Sequence, residues 1–400
     1  MNPSGAAPAF RATVAALAIG QLVCWAALYY AFSSFVLPMQ AELGWSSPQT
    51  MSAFTIGLAV WGASTYAAGA AIDRDQGRAV LTFGAAFAGI GFLVWSRAES
   101  LAALYLAWSL LGVSMAMTLY DPAFNVLTRR YPARYRDGIT ALTLVGGFAS
   151  TLAFPAVAWL IANLQWRGAL QAIGLVLLLV VAPLHAWALR GGTSAAPVAA
   201  AANGEATLGD ALRLRSFWLL TATFTLQSFA VAALFAHLVP AFAERGRTAG
   251  DTLAIVVWFG PSQVLGRLAF LALGRRWPAR RVGLIVFAGM PVALAIFALA
   301  DSTPALLLFA LLFGISNGVS TIVRGSVVPD YFGRRQIGRI SGAMSAISVL
   351  SRAAAPLAAA WLLIAVGGYR GVLLALAGIG LLAWLAFAQA GPPPTERQAR

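Results

Sequence analysis

Residues 260–276 read Gly-Pro-Ser-Gln-Val-Leu-Gly-Arg-Leu-Ala-Phe-Leu-Ala-Leu-Gly-Arg-Arg. This stretch places Arg267 inside an apolar run, about two turns before the arginine pair that ends the run. A guanidinium keeps its proton in a protein and is costly at membrane depth. The stretch therefore predicts a membrane helix whose buried positive charge requires a negative partner, either a side chain or a bound substrate.

The composition extends this prediction to the whole chain. Of the 400 residues, 60% are hydrophobic and 10% are charged, whereas soluble domains carry about 25% charged residues. The formal net charge is +14, and every fixed positive side chain is an arginine. These arginines stand in short groups between apolar runs, without a nucleic-acid-binding motif, so no nucleic-acid partner is expected. The composition is typical of an integral protein of a lipid bilayer.

Neither a metal nor a cofactor is expected. The single cysteine, Cys24, cannot form a disulfide within the chain, and it forms no metal-ligand pattern with the distant His185 and His237. The chain has no phosphate-binding loop for ATP. It also has no Ser/His/Asp or paired-carboxylate constellation at membrane depth, which makes an embedded enzyme the weakest alternative.

Twelve segments, in two sets of six, approach the roughly 20 mostly apolar residues that a membrane helix needs. The predicted segments are Ala12–Pro38, Pro48–Ile72, Ala79–Trp95, Leu101–Leu127, Gly138–Ala162, Gly168–Leu189, Ser216–Pro240, Gly250–Leu273, Arg281–Ala300, Pro304–Val328, Gly338–Val366 and Gly371–Ala388.

Most arginines fall in alternate loops, as Arg129, Arg130, Arg334 and Arg335 do. The positive-inside rule then places both termini in the cytoplasm of a bacterial-type inner or plasma membrane. The expected organisation is a cytoplasmic N-terminus (1–11), an N-terminal six-helix bundle (12–189), a cytoplasmic linker (190–215), a C-terminal six-helix bundle (216–388) and a cytoplasmic tail (389–400).

The two halves carry a weak internal repeat. Leu111-Gly-Val-Ser-Met in the fourth segment matches Phe313-Gly-Ile-Ser-Asn in the tenth. Each is followed by an ionisable residue, Asp121 or Arg324, and then by a basic loop. Such repeats are found in transporters built from paired helical bundles.

The two sets of six helices, together with Gly69-Ala-Ala-Ile-Asp-Arg-Asp-Gln-Gly-Arg78, resemble the major facilitator superfamily. The loop is similar to the family's cytoplasmic signature Gly-x-x-x-Asp-Arg-x-Gly-x-Arg, with Gln76 in place of the second glycine. The resemblance implies an all-α fold of two pseudo-symmetric six-helix bundles. It also implies that the loop aspartate, near a helix N-terminus and an arginine, forms a latch that stabilises one conformation. The residues so assigned to gating or coupling are Gly69, Asp73, Arg74, Gly77 and Arg78. The alternative is a solvated run of charges that only marks the cytoplasmic side.

Three further details resemble the branch that contains monocarboxylate transporters and oxalate–formate antiporters. Glu42-Leu-Gly-Trp-Ser-Ser follows the first segment, Arg267 stands in the eighth, and Arg352 stands in the eleventh. The resemblance implies that both arginines bind substrate carboxylates. Gln263 occupies the position where monocarboxylate transporters carry an aspartate, so proton coupling through that position is not expected.

Asp121, Arg267, Arg324 and Arg352 are the ionisable residues, histidines aside, that the sequence embeds in apolar segments. Three positive charges against one negative charge favour an anionic cargo, and a carboxylate suits guanidinium geometry. For Arg267 the alternatives are an ion pair and snorkelling to the membrane surface. Arg324 is expected to pair with Asp121 or to cap a helix, and Asp121 is expected to act in gating or to carry a proton.

Gln263 and Asn317 are further candidates for substrate contact, with hydrogen bonds between helices as the alternative. The predicted function is secondary transport of a small organic anion, a mono- or dicarboxylate, by alternating access, driven by protons or by anion exchange. The alternatives are efflux of a neutral or cationic toxic compound and, in another class, a membrane sensor that binds its ligand without moving it.

Overall fold

The computed structural model describes residues 9–191, 205–273 and 277–393, and all regular structure within these ranges is helical. Most of the predicted N-terminal segment and tail, half of the predicted linker, and the pair Arg275 and Arg276 lie outside the described residues. The helices are α1 Phe10–Trp25, α2 Phe32–Leu43, α3 Ser47–Asp73, α4 Gly77–Ser96, α5 Leu101–Thr118, α6 Tyr120–Arg130, α7 Tyr135–Gly146, α8 Ala149–Val176, α9 Ala182–Ala188, α10 Leu208–Arg213, α11 Arg215–Ala243, α12 Ala249–Val256, α13 Phe259–Leu273, α14 Ala279–Leu299, α15 Thr303–Phe332, α16 Ile337–Val366 and α17 Tyr369–Gln389, with π-helical segments at Ala26–Tyr30 and Leu177–Val181.

Eleven helical runs within the described residues are long and apolar enough to cross a membrane. One of them, Thr151–Ala188, has 38 residues, which is about twice the length that one crossing needs. Gln165 interrupts this run with φ 58° and ψ 170°. The two sides of the break correspond to the fifth and sixth predicted segments, so the all-helical fold with twelve crossings is confirmed.

Some predicted segments are not single α-helices. The segment predicted at Leu101–Leu127 is divided at Leu119, where the backbone is extended, and the segment predicted at Gly250–Leu273 is divided between α12 and α13. Both segments still form single runs long enough to cross a membrane, Leu101–Arg130 and Gly250–Ala272, so the predicted crossings are confirmed and the breaks within them are new. Hydropathy averaged over about 20 residues does not register a break of one residue, because the composition on both sides stays apolar.

By proximity the chain divides into two compact units. The first comprises residues 1–205 and 334–346, and the second comprises residues 206–333 and 347–400. Residues 334–346, which the sequence places in the second set of helices, therefore lie in the first unit. The contacts of Asp73 described below account for this placement.

Aromatic side chains fill the core of each unit. In the first unit, Trp95 and Trp108 are fully buried with ring centroids 5.1 Å apart. In the second unit, Phe297 and Phe309 are fully buried and stacked, with centroids 4.5 Å apart. These clusters fix the helices on which the candidate site residues stand.

The glycine of the internal repeat has the same structural role in both units. A Cβ on Gly112 would lie 2.4 Å from the carbonyl oxygen of Gly57, at the crossing of α3 and α5. A Cβ on Gly314 would lie 2.6 Å from the Cβ of Ser262, at the crossing of α13 and α15. Small residues permit such close crossings in membranes, where helices gain little from burying apolar surface.

Candidate functional site

Arg267 lies on α13 in the second unit and is only 3% exposed. Its Nε donates a hydrogen bond to the carbonyl oxygen of Gly318 on α15, at 3.2 Å. Its Nη1 is buried and has no hydrogen-bond acceptor among the described residues. Because a guanidinium stays charged, this site keeps a positive charge and an unused donor inside an apolar bundle.

The close crossing of α13 and α15 positions this guanidinium. A Cβ on Gly266 would lie 3.1 Å from the backbone of Ile315, and a Cβ on Gly318 would lie 2.7 Å from the carbonyl oxygen of Gln263. Gln263 and Asn317 therefore flank the contact that holds Arg267, one from each helix. Both are half buried, so the structure brings three of the four predicted substrate residues together.

The other two embedded arginines of the second unit stand on neighbouring helices. Arg324 lies two turns beyond Asn317 on α15, and its Cζ lies 5.4 Å from the ring centroid of Phe224 on α11. Arg352 is half buried on α16, one turn after Ser348, whose hydroxyl lies 3.3 Å from that of Thr225 on α11.

Ring contacts give the depth of Arg267 and Arg352 relative to α11. Phe235 on α11 lies against Phe259 on α13, with centroids 5.9 Å apart. Arg267 comes eight residues after Phe259, which corresponds to about 12 Å along the helix, and is therefore level with residue 227 of the antiparallel α11. The Ser348 hydroxyl on α16 is level with Thr225, and Arg352 comes four residues after Ser348. Arg352 is therefore within about one turn of Arg267 in depth.

In the first unit, the signature loop binds the N-terminus of α16. The Asp73 carboxylate accepts hydrogen bonds from the backbone N–H groups of Gly338 and Arg339, both at 2.8 Å. Arg129 lies 3.8 Å from Asp73 and donates to Asp75 at 2.7 Å. A carboxylate at a helix N-terminus is favoured by unpaired N–H groups and by the helix dipole.

The remaining signature residues shape this contact. A Cβ on Gly69 would lie 1.9 Å from the carbonyl oxygen of Gly338, so Gly69 permits the approach of α16. Gly77 packs against Val126, and Arg74 and Arg78 are exposed. The left-handed turn falls at Asp75, with φ 62°, while Gln76 has φ −89°. The loop therefore forms its turn without a glycine at position 76.

Asp121 stands at a break between α5 and α6. Pro122 has no N–H and leaves the carbonyl oxygen of Thr118 without its helical partner. The Gln21 side chain on α1 supplies the missing donor: its Nε2 lies 2.5 Å from the Thr118 oxygen and 3.4 Å from the Leu119 oxygen. The sequence analysis missed Gln21, although the proline after Asp121 indicated a freed carbonyl.

Asp121 begins a series of polar contacts between α6 and α16. Its Oδ2 accepts a hydrogen bond from Ser345 at 2.5 Å. One turn further, Asn125 exchanges hydrogen bonds with Ser341. Next to Asp121 and Asn125 lies a small pocket that is also lined by Trp61 and Thr65. The predicted pairing of Asp121 with Arg324 stays a prediction.

A family model described as Major Facilitator Superfamily matches residues 17–290 and 247–400. The chain belongs to the major facilitator superfamily. It is an integral membrane protein with several spans, and its family consists of transporters, so the prediction that it is not an enzyme is confirmed. No group of three or more potential metal ligands occurs among the described residues.

The family branch expected from the sequence is also confirmed. The chain is 29% identical to monocarboxylate transporter 13 of Rattus norvegicus over 273 residues, covering 67% of this chain and 63% of that protein. It is 25% identical to the oxalate:formate antiporter of Oxalobacter formigenes over 224 residues, covering 55% of this chain and 53% of that protein. The chain thus aligns with less than two thirds of the length of either relative.

Among solved structures, the fold is similar to that of the human organic anion transporter MFSD10, with a TM-score of 0.75. The match covers 95% of this chain and 100% of that chain, at 17% sequence identity. At this identity the match bears on the fold alone.

Proposed function

We propose that the protein is a secondary transporter that moves a small organic anion, a mono- or dicarboxylate, across the membrane by alternating access. The observation that carries this proposal is the buried Arg267 guanidinium, whose Nη1 has no acceptor among the described residues. An unmatched guanidinium in an apolar bundle is costly. A carboxylate that binds it offsets this cost and accepts from more than one N–H group at once.

Arg352 is the second substrate contact in this proposal. It lies within about one turn of Arg267 in depth, and two guanidinium groups suit either the two oxygens of one carboxylate or the two ends of a dicarboxylate. Gln263 and Asn317 flank the Arg267 contact and supply neutral hydrogen-bonding groups. Arg324, which lies over the Phe224 ring, acts in gating.

The relatives support this cargo class. The names of the rat and Oxalobacter proteins refer to monocarboxylates, oxalate and formate. The cargo is driven either by protons or by exchange for another anion. In this proposal Asp121 either carries a proton or forms part of the gate, because it joins α6 to α16 through Ser345.

The contacts of Asp73 and Asp121 form the gate in this proposal. They hold residues 334–346 within the first unit, and their loss frees this segment to move. The arginine distribution places this gate and both termini on the cytoplasmic side of a bacterial-type inner or plasma membrane. The functional halves are the bundles 12–189 and 216–388, with 1–11, 190–215 and 389–400 as the cytoplasmic N-terminus, linker and tail.

Counterflow in reconstituted vesicles tests the proposal. Vesicles loaded with unlabelled acetate, oxalate or succinate should accumulate the labelled acid if the wild-type protein exchanges it. Arg267→Gln and Arg352→Gln should reduce this exchange at least tenfold, because each removes a charge-assisted hydrogen bond to the anion. The matched control is Arg370→Gln, which removes an exposed arginine.

The other outcomes are separable. Wild-type exchange in both the Arg267→Gln and Arg352→Gln proteins would refute the anion site. Competition by neutral or cationic compounds, with no competition by acids, would identify an exporter of such compounds. Saturable acid binding without counterflow would identify a sensor.

A further inference from the structure

Gln227 on α11 is a buried side chain that the proposed function does not use. It is 7% exposed, and both its Oε1 and its Nε2 are buried without a hydrogen-bond partner among the described residues. The hydroxyl groups of Thr221 and Thr223 on the same helix do have acceptors. An amide that makes neither of its bonds inside a membrane bundle is costly to retain, which points to a partner in another conformation.

The depth of Gln227 relative to α15 follows from two contacts. Phe235 lies against Phe313, with centroids 5.7 Å apart, and Phe224 lies under the Arg324 guanidinium. Eleven residues separate the two contacts on α11, and eleven separate them on α15, so the helices are antiparallel and in register. Gln227 is therefore level with residues 320 and 321 of α15, and it lies on the side of α11 that bears Phe224 and Phe235.

The internal repeat places a bonded glutamine at the same location in the first unit. Thr118 and Leu119 follow Leu111 by seven and eight residues, as Ser320 and Thr321 follow Phe313. Thr118 and Leu119 are the residues whose carbonyl oxygens accept from Gln21. Gln227 thus stands toward α15 as Gln21 stands toward the break between α5 and α6.

One difference between the two repeats bears on the backbone at this level. Pro122 follows Leu111 by eleven residues, and Arg324 follows Phe313 by the same interval. Pro122 frees the Thr118 carbonyl, whereas Arg324 has an N–H that bonds to the Ser320 carbonyl within the continuous α15. With α15 unbroken, no carbonyl group at this level is freed for Gln227, which has no partner among the described residues.

The helical hydrogen bonding of α15 is weakened near residues 320 and 321. Gly314 and Gly318 lower its helix propensity. The Gly318 carbonyl is shared with Arg267, and the Asn317 carbonyl is shared with the hydroxyl groups of Ser320 and Thr321, at 2.9 and 3.4 Å. Hydroxyl groups that bond back to a helix carbonyl weaken and bend the helix.

From these observations we infer that α15 opens near Ser320 during the protein's conformational cycle, and that Gln227 is a positioning residue whose amide binds the carbonyl groups released by the opening. The first unit has the corresponding open and capped arrangement, with Gln21 bonded to the Thr118 and Leu119 carbonyl groups. The second unit alternates, because it has the amide but not the proline.

Hydrogen–deuterium exchange of the full chain in lipid nanodiscs tests this inference without any substrate. In the wild-type protein, peptides covering residues 317–325 should exchange faster than peptides covering 305–312. Gln227→Leu should slow exchange at 317–325 about tenfold, because one hydrogen bond fewer stabilises the open form. The exchange rate at 305–312 should be unchanged, and the melting temperature should be unchanged or higher.

Gln21→Leu is the matched control, since Gln21 is bonded in the structure described here. It should lower the melting temperature and speed exchange at residues 116–123. Unchanged exchange at 317–325 in Gln227→Leu, or a fall in its melting temperature similar to that of Gln21→Leu, would overturn the inference.

If the protein exchanges carboxylates as proposed, Gln227→Leu should reduce the maximal exchange rate and leave the substrate Kd unchanged. A raised Kd with an unchanged maximal rate would instead make Gln227 a substrate contact and overturn the inference. If the protein exchanges none of the acids across the membrane, the proposed function is refuted. The hydrogen–deuterium exchange measurements on α15 remain a valid test of the inference.

Discussion

Substitution of Asp73 by asparagine tests the contact that holds the N-terminus of α16. The carboxylate accepts two backbone hydrogen bonds at 2.8 Å, and its side chain is only 4% exposed. Asparagine keeps one acceptor oxygen but turns an NH₂ group toward the second N–H. The loss is one charge-assisted bond of about 1.5–3 kcal/mol and the helix-dipole interaction of about 0.5 kcal/mol.

The ion pair between Asp73 and Arg129 adds about 0–1 kcal/mol, because the arginine is partly exposed and the atoms are 3.8 Å apart. The sum is about 3 kcal/mol, which corresponds to roughly a hundredfold shift in the equilibrium between conformations with and without the contact. Asp75→Asn is the matched control. Asp75 is 59% exposed and pairs with the same arginine, so its loss should shift the equilibrium by less than about fivefold.

The assay is electron–electron distance measurement between spin labels at positions 78 and 335, both exposed in the first unit, on a Cys24→Ser background. Asp73→Asn should add a longer-distance population that is absent from the wild type and minor in Asp75→Asn. Identical distance distributions in all three proteins would refute the assignment of Asp73 as a latch.

Three further predictions concern stability, each measured by thermal unfolding in detergent. Gly318→Ala should destabilise by about 1–3 kcal/mol, because its Cβ would meet backbone atoms at 2.7 Å, whereas Gly378→Ala, with nothing within 4 Å, should be neutral or slightly stabilising; equal effects would contradict the close crossing. Hydrogen bonds from Trp166 and then Arg167 lower the pKa of Glu42. The stabilising contribution of Glu42 is therefore present above the usual glutamate pKa and is lost as pH falls through the lowered value, so the melting-temperature difference between wild type and Glu42→Gln should shrink from pH 6 to pH 3. A constant difference would rule out this linkage. Gln21→Leu should cost about 1–3 kcal/mol by leaving the Thr118 carbonyl unpaired, and an unchanged melting temperature would show that the break does not depend on this cap.

The sequence predicted the fold class well because the signal is large and local. About 20 apolar residues per segment define a crossing, and the arginines mark alternate loops. The same reasoning located Arg267, since one guanidinium in an apolar run is conspicuous whatever surrounds it. The signature residue Asp73 was found through resemblance, and its partners on α16 lie more than 260 positions away, beyond the reach of any local pattern.

The sequence analysis missed Gln21 and Gln227, because the sequence does not show whether a glutamine side chain in a membrane helix has a hydrogen-bond partner. It also gave no indication that the backbone leaves the helical conformation at Leu119 and Gln165. Whether a single residue leaves the helical backbone depends on which neighbour satisfies the freed carbonyl group, and that neighbour is on another helix.

By itself, then, the sequence determined that the chain crosses the membrane twelve times and carries an excess of embedded positive charge, because both follow from the transfer free energies of individual residues. Only the tertiary structure decided that Asp73 caps α16 and, within the part of the chain that the structure describes, that Arg267 keeps an unused donor and that one of two related glutamines is bonded while the other is not. These properties depend on pairs of groups brought together by helix packing. They cannot be predicted from the preferences of single residues.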